Sequence, residues 1–145
     1  MTSKKLTLEN QICHSLYSAS NALVRAYRPL LELIDLTYPQ YLVMLALWEK
    51  DEVMIKNLVQ RTRFDAGTLT PILKRLQKKS IITINKSEED SRQKVVVVTK
   101  AGKALAVKAE QIPGALSCQI NLPIEEALSL KQLSEKLYHT IMASH

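Results

Sequence analysis

Between residues 37 and 99 the apolar residues change their spacing from helical intervals to continuous β-branched runs, an order that few small folds accommodate. Thr37 and Gln40 are spaced as a capping box, with Pro39 in the first turn, and predict a helix to about Trp48 whose apolar surface, Tyr41 to Leu47, is wide enough for full burial. A short helix follows over Ile55 to Thr62, carrying Leu58 and Val59 inward. After a turn at Arg63 and Phe64, Asp65 is a good N-cap for a helix with Leu69, Ile72, Leu73 and Leu76 at i, i+3, i+4 and i+7. Pro71 lies inside that helix, which predicts either an irregular first turn or a regular start near Thr70. Ile81 to Ile84 and Val95 to Val98 then read as two strands of a hairpin whose long polar tip runs from Asn85 to Lys94.

Helix, helix, turn, helix and hairpin is the order of a winged helix-turn-helix, in which the second short helix enters a major groove and the hairpin reaches an adjacent one. The expected fold is therefore mainly α with a small β-hairpin wing. Charge follows the same boundaries. Residues 54–103 hold twelve basic side chains against four acidic ones, a net +8 within a chain of +6, so the rest carries −2. A basic middle between near-neutral ends suits a polyanion at the middle and protein at the ends. On the exposed face of the Asp65 to Lys79 helix, Thr68 and Thr70 offer hydroxyl donors and Lys74 and Arg75 offer cations; Asp65, Lys86 and Lys94 complete the candidate interface with double-stranded DNA. Arg92 at the hairpin tip suits a narrow minor groove, and Asp90 beside it reads either as the carboxylate that orients it or as an ordinary loop ion pair.

The flanks read as helices. From Leu6 to Leu33 apolar residues recur at threes and fours, with Pro29 expected to bend or break the helix. Helix resumes after Thr99, is stopped by Pro113 and Gly114, and Pro123 opens a last one with Leu130, Leu133, Leu137 and Ile141 along one stripe. That stripe suits either a second copy of the chain or an intramolecular core. One domain over 1–145 is expected, with dimerisation elements at about 1–36 and 104–145 around a winged unit at about 37–103. Without an apolar run of about 18 residues or a leader pattern, a cytoplasmic chain with no membrane association is expected. Cys13 and Cys118, far apart and outside any Cys-x-x-Cys pair, argue against a zinc site or a disulfide-stapled fold; no metal or cofactor is expected.

Asp90-Ser91-Arg92 followed by Val97-Val98-Thr99-Lys100-Ala101-Gly102 resembles the wing and helix-start signature of the MarR repressors. Tyr17-Ser18-Ala19-Ser20, Tyr27-Arg28-Pro29-Leu30-Leu31, Leu36 to Met44 and Gly67-Thr68-Leu69-Thr70-Pro71 resemble the OhrR-type, organic-hydroperoxide-sensing branch, so the likeness covers nearly the whole chain. It implies a homodimer on a pseudo-palindromic operator, joined through the two ends of the chain and induced by organic hydroperoxides.

Cys13 gains interest from its neighbours. At 100° per residue Tyr17 lies about 40° to one side of it and Tyr27 about 40° to the other. Phenols can donate to a thiolate while leaving a pocket otherwise apolar. Fourteen residues of straight helix nonetheless separate Cys13 from Tyr27 by ~21 Å. Either the chain folds back near Pro29 and brings Tyr38 close, or Tyr27 comes from a second subunit, the favoured reading. A helix starting near Thr7 puts Cys13 beyond the first turn, where the helix dipole contributes little. His14 is expected to face solvent, with tuning of the thiol as the alternative.

By the resemblance, Cys13 is the peroxide-reactive thiol, held by Tyr17, Tyr27 and Tyr38, and Cys118, in a mobile segment between Pro113 and Pro123, is similar to a resolving cysteine that pairs with Cys13 of the other subunit. Closure by a small thiol with Cys118 idle stays open. A ligand-responsive repressor with a structural Cys13 and a non-specific architectural DNA binder are the competing readings. A thiol peroxidase lacks an acid/base pair beside the thiol, so the chain is not expected to be an enzyme.

Overall fold

The computed structural model describes residues 3–145; the first two residues of the expected 1–36 arm lie outside them. Two short 3-10 turns, Lys4–Leu6 and Leu8–Asn10, lead into α1 (Ile12–Glu32), followed by α2 (Tyr38–Glu49), β1 (Val53–Met54), α3 (Ile55–Thr62), α4 (Ala66–Lys78), β2 (Ile82–Lys86), β3 (Lys94–Val98), α5 (Lys100–Ala109), α6 (Ile112–Ile120) and α7 (Ile124–Ala143). The chain divides into two compact units, one ending at Ile112 and one of Pro113–His145. Among the described residues no helix is long and apolar enough to cross a membrane.

In the first unit α2 is the central element. Val43, Met44 and Leu47 are fully buried, with Leu58 of α3, Leu69 and Leu76 of α4, Ile82 of β2 and Val96 of β3 completing the core. The capping box is present: the Thr37 hydroxyl accepts from the Gln40 amide at 3.3 Å, and Gln40 Oε1 accepts from the Thr37 amide at 3.2 Å. Arg63 closes α3 in the left-handed region, at φ 63°, and Asp65 starts α4 two residues later. This tight reversal sets the direction in which α4 lies across the core, with its other face exposed.

The wing differs from a plain hairpin. β2 and β3 pair antiparallel from Ile82 opposite Val98 to Lys86 opposite Lys94, so the ladder is longer and the tip shorter than expected. A third strand, β1, pairs with the other edge of β3, giving the order β1-β3-β2. Two residues carry too little pattern to show in the sequence. Where the wing meets α5, a Cβ on Gly102 would lie 2.3 Å from the Ile81 carbonyl oxygen and 2.7 Å from Val98 Cγ1, so only glycine lets the helix approach. The Trp48 indole N–H donates to the Gly102 carbonyl at 3.0 Å and ties α2 to the same point.

The structure shows how three prolines are accommodated. α1 runs through Pro29 to Glu32 without a break, and α4 runs as regular helix from Ala66 through Pro71. Both rings are exposed, and each removes one rung, to the carbonyl of Arg25 or Gly67, on a face where water replaces the lost amide. The helix that resumes after Thr99 does stop before Pro113 and Gly114, but these two then lie in the first turn of a further helix, α6, where a missing amide costs nothing. The segment from Pro113 to Pro123 is thus largely helical rather than a mobile loop, while α5 ends at Ala109. In the second unit Pro123 caps α7, as its sequence suggested.

Candidate functional site

The α4 surface starts with its cap. Asp65 Oδ1 accepts from the Thr68 amide at 2.7 Å, and this backbone bond, with help from the Thr68 side chain and the Gly67 amide, holds the carboxyl below its usual range. Asp65, Thr68, Thr70, Lys74 and Arg75 are all exposed. Thr70 needs a correction: its hydroxyl donates to the Ala66 carbonyl at 2.8 Å, so toward a ligand it presents lone pairs rather than a proton. Between α4 and the wing lies a cleft of about 390 Å³ lined by Thr70, Lys74, Gln77, Asn85, Lys86 and Lys94, among others.

Lys86 and Lys94 are cross-strand partners at the outer end of the β2–β3 ladder. Like charges placed opposite each other repel, so this pair stabilises nothing in the folded chain and suits a polyanion laid across it. Beyond it Asp90 Oδ1 accepts from the Arg92 amide at 3.0 Å and from Arg92 Nε at 3.3 Å. One carboxylate oxygen therefore fixes both the turn and the guanidinium, which stays 89% exposed. Both readings of Asp90, an orienting carboxylate and an ordinary loop ion pair, are compatible with this exposed contact.

The thiol site is split. α1 begins at Ile12 with Gln11 as its N-cap, so Cys13 lies in the first turn and not beyond it. Its neighbourhood is the positive end of the helix, where first-turn amides have no intrahelical partner. Cys13 and His14 are exposed, as is Tyr17, one turn further along, at 70%. Cys118, on α6, is also exposed.

Tyr27 and Tyr38 meet at the far end of α1, with ring centroids 4.8 Å apart. Tyr41 packs on Tyr27 at 5.7 Å. This third phenol was missed, although its position three residues after Tyr38 on α2 was a usable signal. Burial, then the neighbouring Tyr38 and Tyr41, push the Tyr27 phenol up to about 12; burial also raises Tyr38 and Tyr41. The three remain neutral O–H donors throughout the physiological range. Because α1 is continuous, the fold-back near Pro29 does not occur: Tyr38 comes to Tyr27, which within one chain stays ~21 Å along the helix from Cys13.

Comparison with known proteins agrees with this architecture. Residues 25–108 match the family described as transcriptional regulator SarA/Rot. The organic hydroperoxide resistance transcriptional regulator of Bacillus subtilis is 39% identical over 140 residues, 97% of this chain and 93% of that protein. Two structures of AbfR, a protein of Staphylococcus epidermidis, are similar at 30% identity: overoxidised AbfR bound to DNA, with a TM-score of 0.76 over 97% of this chain and 99% of that one, and disulfide-formed AbfR, with 0.67 over 92% of each. The chain belongs to the MarR-type winged-helix transcriptional regulators, in the branch that holds the SarA/Rot and organic-hydroperoxide-resistance regulators.

Proposed function

We propose that this chain is a homodimeric repressor that binds a pseudo-palindromic operator through α4 and the wing and lets go when an organic hydroperoxide oxidises Cys13. The observation that carries the DNA half is the wing: an Arg92 held outward by Asp90 above a Lys86–Lys94 pair with no electrostatic reason to adjoin in the free protein. The redox half rests on Cys13, exposed in the first turn of α1, and on three neutral phenols gathered at the other end of that helix. An antiparallel arrangement of two α1 helices brings the thiol of one copy to the phenols of the other.

In that arrangement the Cys13 thiolate attacks one peroxide oxygen, the O–O bond breaks, an alcohol leaves and a sulfenic acid remains. Attack by a second thiolate on the sulfenic sulfur releases hydroxide, taken up as water, and leaves a disulfide. Cys118 of the other subunit is the proposed second thiol. The relative that is found overoxidised on DNA favours the disulfide, rather than loss of the thiol alone, as the releasing event.

A duplex selected by the reduced protein from a random pool serves as the operator. One equivalent of cumene hydroperoxide is expected to lower its affinity about 100-fold, or ~2.7 kcal/mol, and to give a covalent dimer on a non-reducing gel. Cys13→Ser should bind DNA and ignore the peroxide; Cys118→Ser should form no covalent dimer. Unchanged binding by the oxidised wild type overturns the redox reading, and no preference for any selected duplex overturns the repressor.

A further inference from the structure

The residue after α4 reaches back to the turn between α1 and α2. Lys79, its C-cap, donates from Nζ to the Asp35 carbonyl and, at 3.1 Å, to Gln40 Oε1; Asp35 Oδ2 lies 3.6 Å away. Two of the three ammonium protons thus go to acceptors in the corner between α1 and α2, with the Asp35 carboxylate close by as an ion-pair partner. Gln40 is the buried polar residue of the core, and its Oε1 also closes the α2 capping box. Asp35 holds a left-handed backbone, φ 53°, at the turn that follows α1.

A cleft of about 430 Å³ opens between α1 and the corner, bounded by Val24, Leu31, Leu36, Tyr38 and Lys79 itself. Beside the apolar core that α4 shares with this region, the ammonium adds a polar link from the end of α4 to the corner. Tyr38, the first residue of α2, lies between the Thr37 cap and Gln40 and stacks on Tyr27. A displacement of Tyr38 therefore acts on the short turn that holds Lys79.

We propose that Lys79 is a positioning residue that makes the end of α4 follow the α1–α2 corner, and so carries a change at the tyrosine cluster to the helix that reads DNA. The proposal rests on the redox reading given above. It is distinct from a phosphate contact, which acts on DNA affinity directly and leaves the effect of oxidation intact.

Wild type and Lys79→Met are compared on the selected duplex, reduced and after cumene hydroperoxide, across a range of salt concentrations. The expected result is that the ratio of reduced to oxidised affinity falls at least tenfold in the variant, while the slope of log affinity against log salt is unchanged. Lys79→Arg, which keeps the charge and donors, should recover part of the ratio. Should the Met variant not fold, Lys79→Gln reads the same ratio. A preserved ratio, at whatever affinity, overturns the proposal, as does a slope smaller by about one, the mark of a lost phosphate contact. A wild type indifferent to peroxide overturns the redox reading itself and with it the coupling; a responsive wild type with a preserved ratio in the variant overturns the coupling alone.

Discussion

Leu76 on α4 is fully buried, whereas Leu133 on α7, a residue of the same type in a stripe of similar spacing, is 65% exposed. The contrast extends to the whole of each region. From α2 to β3 the apolar stripes close on one another, and the buried polar group, Gln40, finds its partners inside the chain. On the first half of α1 and along α7, Ile12, Leu23, Leu130, Leu137 and Ile141 stand open. A helix with an apolar stripe is stable in water only where the stripe is covered. The middle therefore accounts for its own stability, and the ends await a second surface, which the proposed dimer supplies.

The most severe test of this contrast replaces one leucine from each region. Leu76→Ala is expected to cost about 2–5 kcal/mol, because it removes a fully packed side chain and leaves a cavity, read as a lower denaturation midpoint at unchanged slope. Leu133→Ala should cost less than about 0.5 kcal/mol in a separated protomer. Leu133→Asp with Leu137→Asp should instead shift the sedimentation coefficient toward that of a monomer. Equal losses from the two alanine variants at low protein concentration would erase the distinction.

Gly102→Ala comes next. Its methyl has nowhere to go against the Ile81 carbonyl, and relief requires α5 to move off the wing, at a cost of about 1–3 kcal/mol. Gly114→Ala on α6 is the control from the other region: nothing lies within 4 Å of the added carbon, and a helix prefers alanine, so stability should hold or rise slightly. Thr99→Ala is smaller, about 1 kcal/mol, since the hydroxyl caps α5 through the Gly102 amide at 3.1 Å and donates to the Ser80 carbonyl at 2.7 Å. Thermal unfolding of the three variants ranks them.

The same contrast explains what could be read from the sequence. The middle was legible because its signals are local: Thr37 with Gln40, Asp65 before a helical stripe, and β-branched runs around a polar tip. Pro71 misled because a proline's effect inside a helix depends on whether its missing rung faces water, which only the folded chain decides. β1 is two residues long and is called into being by the edge of β3. The Lys79 clamp joins positions 44 residues apart and has no periodicity to betray it. Cys13 and Tyr27 could be placed on one face of α1, yet ~21 Å of straight helix keeps them apart within one chain.

The smallest effect concerns the phenols, which sit where the two regions meet. Tyr27 is held protonated by burial and by Tyr38 and Tyr41, so its folded value, about 12, exceeds the 10.0 of a free phenol. Between those values the folded chain binds the proton more tightly than the unfolded one, and stability must fall as pH rises. The contribution is complete below about pH 10 and is lost on passing about 12. One such group changes stability by at most about 1.4 kcal/mol per pH unit, and Tyr27 by a fraction of that because water reaches part of the ring. Absorbance at the tyrosinate band should show Tyr27→Phe removing the last phenol to ionise, and the variant's alkaline stability limb should be shallower than that of the wild type. If covering by a second subunit buries the cluster further, dilution to the monomer should move that last ionisation to lower pH; an ionisation independent of protein concentration through the monomer–dimer transition would place the cluster wholly within the self-sufficient middle.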